Sequence, residues 1–309
     1  MLLLPGYEDG RVERLAFTAD GEWLASIATH PRDAERSAPV RLWNRFNASQ
    51  KYLRPRPRHY GRCLALSPDG QLSAWSSWTT RDVVLCIWDN LAGEIASISG
   101  LAMPNHAVAF SHQLNLVAMS SYNRISLYQT VTGLLHQSFQ LQQIIGRSRL
   151  DEHDHDEPDT LMFTPNDLSI AIGHRNAALT IFNHSGEQFA RQLRAPAGSR
   201  PTLAVSESLL AVSAGGSIEV LDLKSADLLW SLPDDPKVRT SLAFSPDGQT
   251  LAVASGQSVS LYESFRGIRL AGYSWNIGQL GAVAFAPDGL TCAVGGEEGR
   301  IVIWDLDDA

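Results

Sequence analysis

Several features that would define a protein class are scarce or missing in this chain. Three cysteines in 309 residues, Cys63, Cys86 and Cys292, cannot all pair, and each sits inside an apolar run. They read as small buried hydrophobes, not as a disulfide framework. No apolar run approaches the roughly 18 residues that a membrane-crossing helix needs. The start, M-L-L-L-P-G-Y-E-D-G, has no basic segment ahead of its short apolar run, so no secretory signal is expected. A reducing, cytoplasmic setting fits both observations. Positive charge is also short: 25 Lys and Arg against 33 Asp and Glu give a net charge of −8 and a pI near 5.6. That balance argues against nucleic acid or anionic lipid as the main partner. Catalytic signatures are absent as well. There is no G-x-S-x-G elbow, Walker loop, G-x-G-x-x-G after a strand, H-E-x-x-H or C-x-x-C. Helical periodicity is not evident.

What is present is repetition. With 44% hydrophobic and 19% charged residues the chain is globular in composition. Its closing stretch, Ala282 to Asp305, holds three short apolar runs, Ala282–Phe285, Thr291–Val294 and Ile301–Trp304. Pro-Asp-Gly separates the first two and Gly-Gly-Glu-Glu-Gly the second and third. Short β-compatible runs bounded by turn residues predict an antiparallel meander. The pattern recurs along the chain, anchored on the residue that ends each first run: Phe17, Leu66, Phe110, Phe163, Val205, Phe244 and Phe285. A second marker ends each third run, at Trp43, Trp88, Tyr128, Phe182, Leu221, Tyr262 and Trp304. Marker-to-anchor intervals are 23, 22, 35, 23, 23 and 23 residues. Each must hold a fourth strand and a connection.

Seven units of about 40 residues, with F-S-P-D-G-x-x-L-A followed by I-x-I-W-D in the best copies, resemble the WD40-repeat β-propeller family. The resemblance implies an all-β, single-domain ring over residues 1–309, with seven four-stranded blades. Such rings usually close by joining the two chain ends in one blade, and the spacing agrees. Five residues follow Trp304 and Phe17 is residue 17, so the wrapped interval is 22. Met1–Pro5 is therefore expected to form the outer strand of blade 7.

Three departures from the family pattern matter. The only Gly-His, Gly173–His174, follows a second run instead of preceding a first one. In the family's Asp slot, six residues before the third-run marker, only Asp82 matches, with Asn176 and Glu298 as near substitutes; the third and fifth copies of the Ser-Pro-Asp-Gly turn, S-H-Q-L and S-E-S-L, have also lost Asp-Gly. Blades held mainly by apolar packing, with few complete polar networks, are the expectation.

The resemblance also assigns the connections to two faces, and the longer insertions (28–39, 77–82 and 140–158) fall on the one formed by second-to-third and blade-to-blade connections. Loops on a rigid scaffold are where binding usually resides. Arg56, Arg58, Tyr60, Trp78, Arg81, Tyr122, Arg124, His174, Arg175 and Trp275 are the candidate partner-binding residues, because Trp, Tyr and Arg are enriched in binding hot spots. For each of them, packing within a blade is the competing role. The acidic run Asp151–Glu157, D-E-H-D-H-D-E, reads first as a solvated loop, with a docking element or a metal site through His153 and His155 as alternatives. No cofactor is expected. The function implied is a monomeric, non-catalytic scaffold for a protein or peptide partner. The alternative is a hydrolase or small-ligand propeller with its site at the central channel.

Overall fold

The structure is a computed structural model, and it describes residues 1–7, 10–29, 40–53, 60–78, 83–90, 93–101, 105–121, 124–141, 158–174, 178–183, 188–192 and 201–307. Among them, 28 strands form seven four-stranded antiparallel sheets, the blades of a propeller. Blades 1 to 6 span 11–53, 60–101, 105–140, 158–192, 202–233 and 240–274. Each is a meander whose strands pair in chain order, from the innermost first strand to the outermost fourth. First strands of neighbouring blades pack against each other at the junctions from blade 2 round to blade 1. The markers found in the sequence keep strict places. Every anchor is the last residue of a first strand, and every third-run marker is the penultimate residue of a third strand.

Blade 7 is completed as the spacing predicts. Its three C-terminal strands are joined by Leu2–Leu4, which pairs antiparallel with Ile301–Asp305 in the register Leu2 to Ile303, Leu3 to Val302 and Leu4 to Ile301. Leu4 is fully buried in a cluster with Tyr7, Trp43, Ile301 and Ile303 that spans blades 7 and 1. The entering chain then crosses the Gly296–Arg300 turn closely. Tyr7 N–H donates to Gly299 O at 3.1 Å. Gly6 and Gly299 both have positive φ, and a Cβ on either would overlap the other segment's backbone. Only glycine permits that approach.

The recurring Ser-Pro-Asp-Gly phrase is a hydrogen-bonded device. The Ser or Thr hydroxyl donates to the Asp carboxylate and accepts the N–H five residues on, while the carboxylate accepts the N–H two residues past itself. Thr18/Asp20, Ser67/Asp69 and Ser245/Asp247 all do this. The hydroxyl bond holds the carboxyls of Asp20 and Asp247 below the usual carboxylate range. In blade 4, T-P-N-D, Asn166 takes the Asp position.

Apolar packing dominates the blades, yet two polar networks stand out. In blade 1, Trp43 Nε1 donates to Ser26 Oγ at 2.7 Å, and Tyr7 OH lies 2.7 Å from Ser26 O and 3.0 Å from its Oγ. The guanidinium of Arg41 covers the Tyr7 ring at 4.0 Å. Between blades 5 and 6, the Asp234 carboxylate accepts from Ser213, Thr240 and Ser255. Blade 7 shows the converse. Trp304, at the position of Trp43, has a buried Nε1 with no partner among the described residues. The register explains it: Ser26 stands two residues beyond the strand partner of Trp43, and the matching residue of blade 7 is Val294. Ser26→Ala is accordingly expected to cost about 1–3 kcal/mol, because it strands the buried Trp43 N–H. Thr132→Ala, on an exposed turn, is the comparison and stays within about 0.5 kcal/mol of wild type. Urea denaturation of the two variants measures the difference.

Candidate interaction site

Each blade is an antiparallel meander, so its first-to-second and third-to-fourth connections lie at one end and its second-to-third connection at the other. Turns of neighbouring blades touch at the first of these ends. Between first-to-second turns, Ala19 N–H donates to Asp69 O at 3.2 Å, and Gly248 and Gly289 lie against Ser206 and Pro246, while Arg45 of the blade 1 third-to-fourth turn pairs with Asp288 of blade 7 at 2.7 Å. The propeller therefore has a continuous turn end and an opposite loop end.

At the loop end, the sequence candidates fall into three groups. Arg56, Arg58, Arg81, Tyr122, Arg175, His153 and His155 lie outside the described residues, as do 30–39 and 142–157 of the long insertions. Tyr60 and Trp78 are direct cross-strand partners at the loop end of blade 2, and Arg124 opens the third strand of blade 3 and is exposed. Trp275, in the connection from blade 6 to blade 7, is half-buried. Its ring lies parallel to Tyr273 at 5.9 Å and tilted against Trp304 at 4.4 Å. His174 does not reach the surface. It is 2% exposed, with Nε2 hydrogen-bonded to Thr180 Oγ1 at 2.9 Å. An unpaired imidazole would be costly there, and the neighbouring third-strand hydroxyl satisfies it.

Ion pairs decorate the same end. Arg11 meets Glu297 at 3.2 Å, Arg300 meets Glu298 at 3.4 Å, and Arg239 pairs with Glu13 of the first strand of blade 1, reaching past blade 7. Among the described residues, no group of three or more His, Cys, Asp or Glu could hold a metal ion. No helix among them is long and apolar enough to cross a membrane. Cys86 and Cys292 are buried in their blades, and burial pushes the Cys292 thiol far above its ordinary value.

The turn end is chemically different, and the sequence reading passed over it. Phe46, Leu114, Val131, Leu134, Leu168, Phe265, Ile268 and Leu290 are all exposed in its turns. Met1, Leu3, Leu135, Leu228, Leu229 and Leu270, also exposed, lie on outer strands or next to one. Acidic groups surround them: Asp20, Glu22, Asp69, Glu207, Asp247 and Asp288 in the first-to-second turns, and Asp89, Asp222, Asp227, Glu263, Asp305 and Asp307 at the third-to-fourth turns. Opposing them are Arg45, Lys224, Arg266 and Arg269. These turn residues were visible in the sequence. Their signal, an apolar residue at a turn tip where none is needed for packing, emerges only once the turns share one face.

The third-copy turn in blade 3, Ser111–Asn115, has no carboxylate of its own and borrows one. Asp167 of blade 4 accepts the N–H groups of His112 at 2.7 Å, Gln113 at 2.6 Å and Leu114 at 3.2 Å. Burial lowers the pKa of His112, and the Asp167 charge partly offsets that shift. Beside this turn lies an open groove of about 300 Å³, lined by Leu114, Asn115, Leu116, Gln129, Val131 and His136.

Comparison with known proteins agrees with this architecture. The repeat family described as "WD domain, G-beta repeat" matches residues 228–263 and 274–305. An uncharacterized WD repeat-containing protein of Synechocystis sp. is 25% identical over 142 residues, which span 44% of this chain and 41% of that protein. Among solved structures, a chain of the crystal structure of the Mitotic Checkpoint Complex superposes with a TM-score of 0.76. That match covers 99% of this chain and 91% of that one at 14% identity, a likeness of fold. The stretches 228–263 and 274–305 match WD repeats, and the seven-bladed ring that contains them has the fold of a WD40 β-propeller.

Proposed function

We propose that the chain is a non-catalytic scaffold that binds another protein or a peptide at the loop end of the ring. The observation that carries this reading is the backbone pairing of Tyr60 with Trp78 at the end of blade 2, with the exposed Arg124 on the adjacent blade 3. Aromatic and arginine side chains on a rigid sheet end lose little conformational freedom on binding and supply most of the energy of typical interfaces. Arg56, Arg58, Arg81, Tyr122 and Arg175, which lie outside the described residues, and Trp275, in the connection from blade 6 to blade 7, are the further residues of the proposal. Fold alone does not specify a partner, so the proposal rests on the site. The test is affinity capture from the native host with wild type and with Trp78→Ala/Arg124→Glu. A specific protein retained by wild type and lost by the variant is the expected result. Identical captured proteins from both would overturn the loop end as the binding surface.

A further inference from the structure

The geometry points to a second interaction surface, on the turn end, that takes a partner segment in which lysine or arginine is interleaved with large apolar residues, one of them seated in the blade 3 groove. This inference does not depend on the loop end.

Three observations lead to it. First, the large apolar side chains displayed in turns sit at this end alone among the described residues, with Val131 72%, Phe46 68% and Leu134 65% exposed. Turn tips need no apolar residue for folding, and clustered exposed apolar groups rimmed by polar ones mark interaction sites. Second, the apolar display has a receptor. The blade 3 groove has an apolar wall formed by Leu114, Leu116 and Val131, with Asn115, Gln129 and His136 as polar contacts. Its volume, about 300 Å³, suits one large side chain with its neighbours, a pocket at the small end of the range for ligand sites. The turn that forms one wall is fixed from outside by the Asp167 carboxylate, so the groove is preorganised.

Third, charge selects the occupant. Among the described residues, twelve solvent-accessible acidic residues against four basic ones give this end an excess of eight negative charges. Two of the four cations are already spent, Arg45 on Asp288 and Arg266 on Glu263. Such a face attracts a cationic segment and speeds its encounter, whereas it repels an anionic lipid surface. A second copy docked through the same end would bring like charges together. A cationic segment with apolar anchors meets both the charge and the apolar display.

Fluorescence anisotropy with a labelled dodecapeptide of alternating lysine and leucine pairs tests this. Two control peptides accompany it, one with glutamate in place of lysine and one with serine in place of leucine. The expected result is saturable one-to-one binding of the lysine–leucine peptide, at least tenfold tighter than either control. Leu114→Ser/Val131→Ser should weaken it at least tenfold, while Lys237→Ser, at the loop end, leaves it unchanged. Both substituted groove residues are solvent-exposed, and an unchanged melting point verifies that the variant folds. A photoreactive leucine in the peptide gives an independent readout on the wild-type protein, with cross-links expected within residues 111–116 and 129–136. Equal binding of the lysine–serine peptide, unchanged binding by the folded groove variant, cross-links elsewhere, or no saturable binding would each overturn the inference.

Discussion

Deleting Met1–Pro5 is expected to lower the thermal midpoint by about 10 °C. The loss follows from what Leu2–Leu4 does in blade 7. Leu4 is fully buried, and removing a buried leucine side chain alone costs about 2–5 kcal/mol. The deletion also takes away the strand pairing to Ile301–Ile303 and exposes the edge of the last blade. For a domain of about 200 residues, each kcal/mol shifts the midpoint by about 2–4 °C, and this longer chain sits at the low end of that range. An open strand edge is also a template for pairing with another chain. The truncated protein is therefore expected to aggregate on heating where the full chain does not. Differential scanning calorimetry with light scattering records both effects, and an unchanged midpoint would sink the closure of the ring by this strand.

Asp167→Ala should be the most damaging single substitution outside the apolar core, costing about 3–5 kcal/mol. The reason lies in a paired departure from the repeat. Where other copies read Asp-Gly, blade 4 reads Asn166-Asp167, so Asp167 occupies the glycine position and has the same left-handed backbone, φ +55°. At that position a Cβ points toward the turn of a neighbouring blade, as the closeness of Gly70 to Thr18 shows. In blade 4 the carboxylate follows that direction into blade 3 and binds three N–H groups of the turn that lacks its own Asp. Removing it leaves those donors without their acceptor, at about 1–3 kcal/mol for each one that water does not reach. Asp167→Asn keeps an acceptor oxygen and the shape, and should lose less than half as much. Chemical denaturation separates the two variants, and equal losses would mean that the charge, not the acceptor geometry, holds the turn.

These results bear on how much could be read before the structure. Periodicity placed all seven anchors at first-strand ends, because a strand that leads into a tight turn must end where the turn chemistry begins. It also located the closing strand, since the marker-to-anchor interval is fixed by the physical length of a fourth strand plus one connection. The polar networks were less legible. Tyr7 completes the Ser26–Trp43 pair from the far end of the chain's own closure, a contact with no sequence neighbour to reveal it. The missing Asp-Gly of the third copy and the odd Asn-Asp of the fourth were visible separately. Their compensation is a contact between blades and requires the ring. His174 was legible as polar and out of place, but its Thr180 partner across the strand pair turns it inward. The turn end escaped notice for a related reason. Its apolar and acidic residues are scattered through the sequence at intervals set by the repeat, and only the antiparallel meander gathers them.

Both faces depend on a ring closed by its first strand, because an open ring would fix neither. Amide hydrogen exchange on the intact protein tests this most directly. The amides of Leu2–Leu4 that face Ile301–Ile303 are expected to be protected as strongly as those of the outer strands Leu135–Gln140 and Arg269–Ser274. Exchange of Leu2–Leu4 at the rate of an unstructured chain, with Ile301–Trp304 still protected on its other side, would contradict the account.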